Sequence, residues 1–165
     1  MQFNVSVLLR EPVGSTRHFT LDADPPVQTG TVELLRTPGG VLVRCEATLL
    51  LSAECSRCLK TFTYPEKIAF EEVFAQQVDP VSGAKLEADA DPEAFLIDES
   101  HTIDITEAVR QYSDVAAAMQ PLCRPDCPGL CPECGQDLNI GRCACDRTPV
   151  DSRWEALAAL KRTNG

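Results

Sequence analysis

The sequence predicts an α+β fold: an antiparallel β-sheet or partly closed, barrel-like meander, packed by one helix and followed by a cysteine-rich tail. Three observations carry this. Apolar and polar residues alternate with a period of two through much of the first half of the chain, the pattern of half-buried strands. One stripe of apolar residues at helical spacing runs from Ile105 to Met119. Six cysteines, Cys123, Cys127, Cys131, Cys134, Cys143 and Cys145, fall within 23 residues.

Phe3, Val5, Val7 and Leu9 alternate with polar neighbours and predict a first strand. Residues 11–29 are rich in turn formers and yield no assignment. Val32 and Leu34, the turn signal Pro38-Gly39-Gly40, and then Val41, Val43, Cys45, Ala47, Leu49 and Leu51 on one face predict a β-hairpin over 31–52. Cys45 sits on the apolar face, where a thiol behaves as a small hydrophobe. A further alternating run holds Phe62, Tyr64, Ile68, Phe70 and Phe74. Residues 76–93 dissolve into prolines, a glycine and repeated carboxylates, which reads as a mobile acidic loop, either a plain connector or a docking surface for a basic partner. Phe95 to Ile97 is short and strand-like. Asp104 followed three residues later by Glu107 matches a reciprocal capping pattern, opening a helix with Ile105, Ala108, Val109, Tyr112, Ala116 and Met119 on its packed face, stopped by Pro121. Residues 146–150 read as a linker, and Ser152 with Glu155 opens a short terminal helix carrying Trp154, Leu157 and Leu160. The chain thus divides into a β-rich α+β unit, 1–121, and a tail, 122–165.

The net charge of −10 is segregated. Residues 66–107 hold 12 acidic and 2 basic side chains, the whole of the excess, and the cysteine-bearing segments are neutral. A uniformly acidic protein repels nucleic acid; a segregated one need not. No apolar run approaches the roughly 20 residues that span a bilayer, and the first residues lack the basic start and apolar core of a signal peptide. These features predict a cytoplasmic protein with no membrane partner. In that reducing compartment, nine cysteines point to metal or redox chemistry more than to disulfides. His18 and His101 have no neighbour at ligand spacing, so any metal site is expected to be all-thiolate.

With Cys45 assigned to the core, eight cysteines remain in four close pairs: 55/58, 123/127, 131/134 and 143/145. Cys55-Ser56-Arg57-Cys58 at a strand-to-strand turn has the form of a zinc knuckle. A redox pair would instead place its first cysteine at a helix start. Cys131-Pro132-Glu133-Cys134-Gly135 is a second knuckle, and its glycine is free to take the left-handed conformation. The preferred arrangement joins Cys131, Cys134, Cys143 and Cys145 in a small zinc ribbon and Cys55, Cys58, Cys123 and Cys127 in a second site pinning tail to sheet. Interleaved pairings, and a single zinc with the N-terminal pair reduced, stay open. Catalytic zinc sites use histidine or carboxylate and keep an open position. No nucleophile–base constellation or phosphate-binding glycine loop is evident, so neither catalysis nor a small-molecule substrate is expected.

Two fragments, C-S-R-C-L at Cys55–Leu59 and L-C-R-P-D-C-P-G-L-C-P-E-C-G-Q-D-L-N followed by C-A-C, together with D-S-R-W at Asp151–Trp154, resemble the large ribosomal RNA subunit accumulation (YceD) family. The resemblance implies a non-enzymatic role in ribosome biogenesis, supporting accumulation of large-subunit ribosomal RNA. The partner would be that RNA, its precursor, or a basic ribosomal protein held by the acidic segment. Arg57 and Lys60 beside the first knuckle, with Arg124, Arg142 and Arg147 around the cluster, are candidate contacts, though ordinary solubilising charge accounts for them equally. From another class, a zinc-thiolate redox sensor that exchanges a binding partner on oxidation is the alternative.

Overall fold

The structure is a computed structural model that describes residues 1–86 and 94–145. Over these residues it is mostly β-sheet with one α-helix, α+β in outline. Seven strands form two sheets: β1 (Gln2–Asn4), β2 (Thr16–Leu21), β3 (Val27–Thr37), β4 (Gly40–Glu54), β5 (Thr61–Gln76), β6 (Leu96–Ile97) and β7 (Thr102–Asp104), followed by α1 (Thr106–Ala116). The large sheet has the order β2-β3-β4-β5-β6, and β1 pairs with β7 in a small second one.

The predicted hairpin is present and longer than expected, as β3 and β4, and β5 continues the antiparallel meander in a register running from Gly40↔Ala75 to Glu54↔Thr61. The face anticipated from alternation is the buried one: Val41, Val43, Cys45 and Leu49 are almost wholly inaccessible, with Ile68, Phe70 and Phe74 beside them on β5. Cys45 lies in this core, and burial pushes its thiol up to about 11, which keeps it a neutral space-filler. On the opposite face, His18, Glu33, Arg44 and Glu71 are register partners across four strands, with Arg44 ion-paired to both Glu33 and Glu71 and the His18 ring 3.8 Å from Glu33. Such a polar face lets one side of an antiparallel sheet meet water.

The sheets are open, so of the two forms expected the partly closed, barrel-like meander is not the one adopted. Strands β2 and β6 end the large sheet on opposite sides without pairing with each other, and β6 meets β5 through only two residues, Ala75↔Leu96 and Gln76↔Ile97. That pairing is parallel, so the sheet is mixed. The expected first strand shrinks to β1: Asn4 Oδ1 accepts from the Ser6 N–H and hydroxyl, and the chain turns into a 3₁₀ turn at Leu8–Arg10. Val5, Leu8 and Leu9 are buried and Val7 is exposed, which breaks the alternation. The unassigned stretch contains β2, an edge strand exposed along nearly its whole length; with no buried face it carries no periodicity to read.

Helix α1 packs Ala108 and Val109 into the core, with Ile105 at its entry. Tyr112 stacks on Phe70 at 4.7 Å and donates its hydroxyl to Glu72. The reciprocal capping box is not formed. Asp104 Oδ1 accepts from the Thr106 N–H, but Glu107 turns away to Arg110 and Gln111. The helix ends well before Pro121: Ala117 is extended, Ala118 N–H donates to the Tyr64 hydroxyl, and Met119 is fully exposed. Val78 bridges Lys85 within the acidic loop, whose residues 87–93 lie outside the described residues. The linker 146–150 with Arg147, and the terminal helix with Trp154, also lie outside them. Among the described residues no helix is long and apolar enough to cross a membrane.

Candidate metal centres

The turn between β4 and β5 is the first knuckle. Cys55 N–H donates to Lys60 O at 2.9 Å, and Leu59 N–H returns to Cys55 O at 2.9 Å. The second knuckle repeats this at the same spacing: Cys131 N–H donates to Gln136 O at 2.8 Å and Gly135 N–H to Cys131 O at 2.9 Å. The residue after the second cysteine is left-handed in both, Leu59 at φ +59° and Gly135 at φ +72°. This turn aims backbone N–H groups at the first sulfur. The N–H of Cys123, followed by those of Cys58 and Arg57, holds Cys55 down to about 6 against its burial. The N–H groups of Cys134 and Glu133 do the same for Cys131, also to about 6. At the other extreme, Cys123 is pushed up to about 12 by burial and by Cys127, and Cys145 to about 12 by Cys134, burial and Cys131. Cys127, like Cys55 and Cys131, is held below the ordinary thiol value, against its burial, by the Asn139 amide and the Gly129 N–H.

Among the described residues two groups of four cysteines come together: Cys55, Cys58, Cys123 and Cys127, and Cys131, Cys134, Cys143 and Cys145, with the sulfurs of each group within 4.8 Å of one another. In the first, Cys55 and Cys127 sulfurs are 3.9 Å apart and those of Cys58 and Cys123 are 3.7 Å apart. A tetrahedron with zinc–sulfur bonds of about 2.3 Å has sulfur–sulfur edges of roughly 3.8 Å, whereas a disulfide needs about 2.05 Å. None of the nine cysteines is in a disulfide. Four sulfurs, with no histidine or carboxylate among them, are the donor set of a closed structural zinc site. The grouping is the one preferred from the sequence. The first cluster is lined by Phe62 and Leu122 and ties the sheet to the tail; the second is formed within the tail, where the described segment carries the isolated bridge Leu130↔Asp137 in place of strands.

Of the basic candidates, Arg57 and Lys60 are engaged within the chain. Arg57 donates to Cys127 O at 2.9 Å while its own carbonyl accepts from Leu130 N–H at 3.0 Å. Lys60 Nζ lies 2.7 Å from Asp137 Oδ2. Zinc held by four thiolates would carry a net charge of about −2; Arg57 lies between the first two ligands in the sequence, and Lys60 is already paired with Asp137. Arg124 is exposed and pairs loosely with Asp126 at 3.4 Å, and Arg142 is exposed. Two site residues escaped the sequence reading, Asp137 and Asn139. Asn139 Nδ2 donates to the Cys127 sulfur at 3.5 Å and to Asp137 Oδ1 at 2.7 Å. Lys60, foremost, and Asn139 hold the Asp137 carboxyl down to about 2. The signal available was the Q-D-L-N run directly after the second knuckle, an Asp and Asn two apart that favour a side-chain turn.

A family model described as large ribosomal RNA subunit accumulation protein YceD matches residues 43–161. Uncharacterized proteins of Mycobacterium tuberculosis and Mycobacterium bovis are 32% identical over 121 residues, covering 73% of this chain and 56% of theirs. One of Mycobacterium leprae is 33% identical over 100 residues, covering 61% of this chain and 44% of its own. The chain therefore spans about half the length of these relatives. No solved structure matches it.

Proposed function

The chain belongs to the YceD family of large ribosomal RNA subunit accumulation proteins, and on that premise we propose that it is a non-enzymatic ribosome-biogenesis factor acting by binding. It supports accumulation of large-subunit ribosomal RNA in the cytoplasm, through contact with precursor RNA or with a basic ribosomal protein. The observation that supports this reading is that both four-sulfur clusters lie within the family match, each with four thiols, the number that fills a closed tetrahedral zinc site. Zinc bound there fixes the path of the chain, as structural zinc does, and leaves recognition to the surfaces around it. Arg57, Lys60, Arg124 and Arg142 are exposed and lie between or close to cluster ligands in the sequence, and the net charge of −10 favours a cationic partner elsewhere on the surface.

The test is co-sedimentation after gentle lysis. The protein is expected with large-subunit precursors, and the Cys55→Ser/Cys58→Ser variant is expected to leave them. Release by ribonuclease marks the RNA as the partner; retention marks a protein. Recovery only in the soluble fraction overturns the proposal. Cys123 and Cys134 reach the surface, which favours one other reading, a zinc-thiolate redox sensor. Zinc release with disulfide formation under mild peroxide supports it, and clusters inert to peroxide remove its basis.

A further inference from the structure

The loop 135–142 joins the two ligand pairs of the C-terminal cluster, yet two of its polar side chains, Asp137 and Asn139, serve the other cluster. Leu138 N–H donates to Gly129 O at 2.9 Å and Leu130 bridges Asp137, so the loop folds back over the Cys127–Leu130 segment. There Asn139 Nδ2 reaches the Cys127 sulfur at 3.5 Å and Asp137 Oδ1 at 2.7 Å. Asp137 Oδ2 meets Lys60 Nζ at 2.7 Å, and Lys60 stands two residues beyond Cys58. A closed ring results, from a sulfur of the cross-chain cluster through Asn139, Asp137 and Lys60 back to the knuckle that holds the same cluster.

From this ring we infer that Asn139, oriented by Asp137 and Lys60, is a positioning residue for the Cys127 sulfur, and that through it filling the C-terminal cluster strengthens metal binding at the cross-chain cluster. The inference rests on the reading that both clusters hold zinc. A thiolate around zinc gains from each N–H donor directed at it, and outer donors of this kind orient the ligand as well as stabilise its charge. Asn139 can be such a donor only when loop 135–142 is ordered. A metal at Cys131, Cys134, Cys143 and Cys145 fixes both ends of that loop, so the ordering cost has already been met when the cross-chain cluster fills. Linkage makes the effect reciprocal: the cross-chain metal raises affinity at the C-terminal cluster by the same factor.

The test uses the full chain and cobalt(II), whose thiolate complexes absorb in the visible, titrated in competition with a chelator of known affinity. The Cys55→Ser/Cys58→Ser variant identifies which of the two affinities belongs to the cross-chain cluster. Asn139→Ala is expected to weaken that affinity by about 10-fold, the usual loss for an outer-shell partner. Asn139→Asp keeps the shape but sets a carboxylate oxygen against sulfur and Asp137, so it is expected to weaken it further; a role in packing alone predicts parental affinity for this variant. Cys143→Ser/Cys145→Ser is expected to weaken the cross-chain cluster comparably, with little added by Asn139→Ala in the same chain. Two cobalt ions in the parent with both Asn139 variants within about twofold of it overturn the coupling alone. A parent chain that takes up no cobalt overturns the zinc reading on which it rests.

Discussion

Leu59 and Gly135 hold the same place in two knuckles that share little sequence, and both are left-handed. A side chain there costs roughly 1–2 kcal/mol, a cost the first knuckle bears and the second avoids. Gly129 adds a steric demand: at φ +76°, a Cβ would stand 2.8 Å from the Arg57 carbonyl oxygen, the group that accepts from Leu130. A Cβ added at Gly135 would meet nothing within 4 Å. Gly135→Ala is therefore expected to lower stability by about 1–2 kcal/mol and Gly129→Ala by more, with loosened binding at the cross-chain cluster. Urea unfolding of the two variants checks the order, and equal losses would remove the steric part of the explanation. At this scale the ligands were legible because a thiol pair two residues apart is chemically conspicuous. Asp137 and Asn139 were not, since an Asp and an Asn in a turn ordinarily satisfy only their own backbone.

Among the elements, β3, β4 and β5 could be read because each buries one face and so alternates; the exposed β2 could not. The β7–α1 junction shows a local pattern overruled by its neighbours. Asp104 and Glu107 fit a capping box, but Arg110 and Gln111 compete for Glu107, and Asp104 is shared between Thr106 and the Gln2 amide across the β1–β7 pair. Burial pushes the Asp104 carboxyl up, yet the Thr106 hydroxyl and N–H and the Gln2 amide outweigh it and hold it down to about 2. Its folded value lies below the ordinary carboxylate value of about 3.9, so its contribution is full above that value and is lost as pH falls through about 2. Asp104→Asn is accordingly expected to lose roughly 0.5–1 kcal/mol at neutral pH. Its gap from the parent should close as the solution is acidified, which thermal melts across the acid range measure; a constant gap would mean the carboxylate charge is not what stabilises the junction.

The described residues form a sheet-and-helix core with the cysteine-bearing segment 122–145 fastened to it at the β4–β5 turn. The fastening is a four-sulfur cluster whose pairs are 65 or more residues apart, reinforced by the Arg57–Cys127 hydrogen bond and the Lys60–Asp137 ion pair. Metal analysis of the purified chain is expected to give one zinc for each of the two clusters, falling to one in all for Cys55→Ser/Cys58→Ser. Limited proteolysis of that variant should cut between residues 117 and 130 faster than in the parent. A zinc content unchanged by the substitution would refute a cross-chain site. The sequence by itself determined the donor atoms, the buried face of the central strands and the family, because these depend on residue type and local spacing. Only the tertiary structure decided which cysteine pairs meet, that the sheet stays open, and that two residues after the second knuckle serve the first cluster. Those outcomes depend on distances between segments remote in sequence, which no local period encodes.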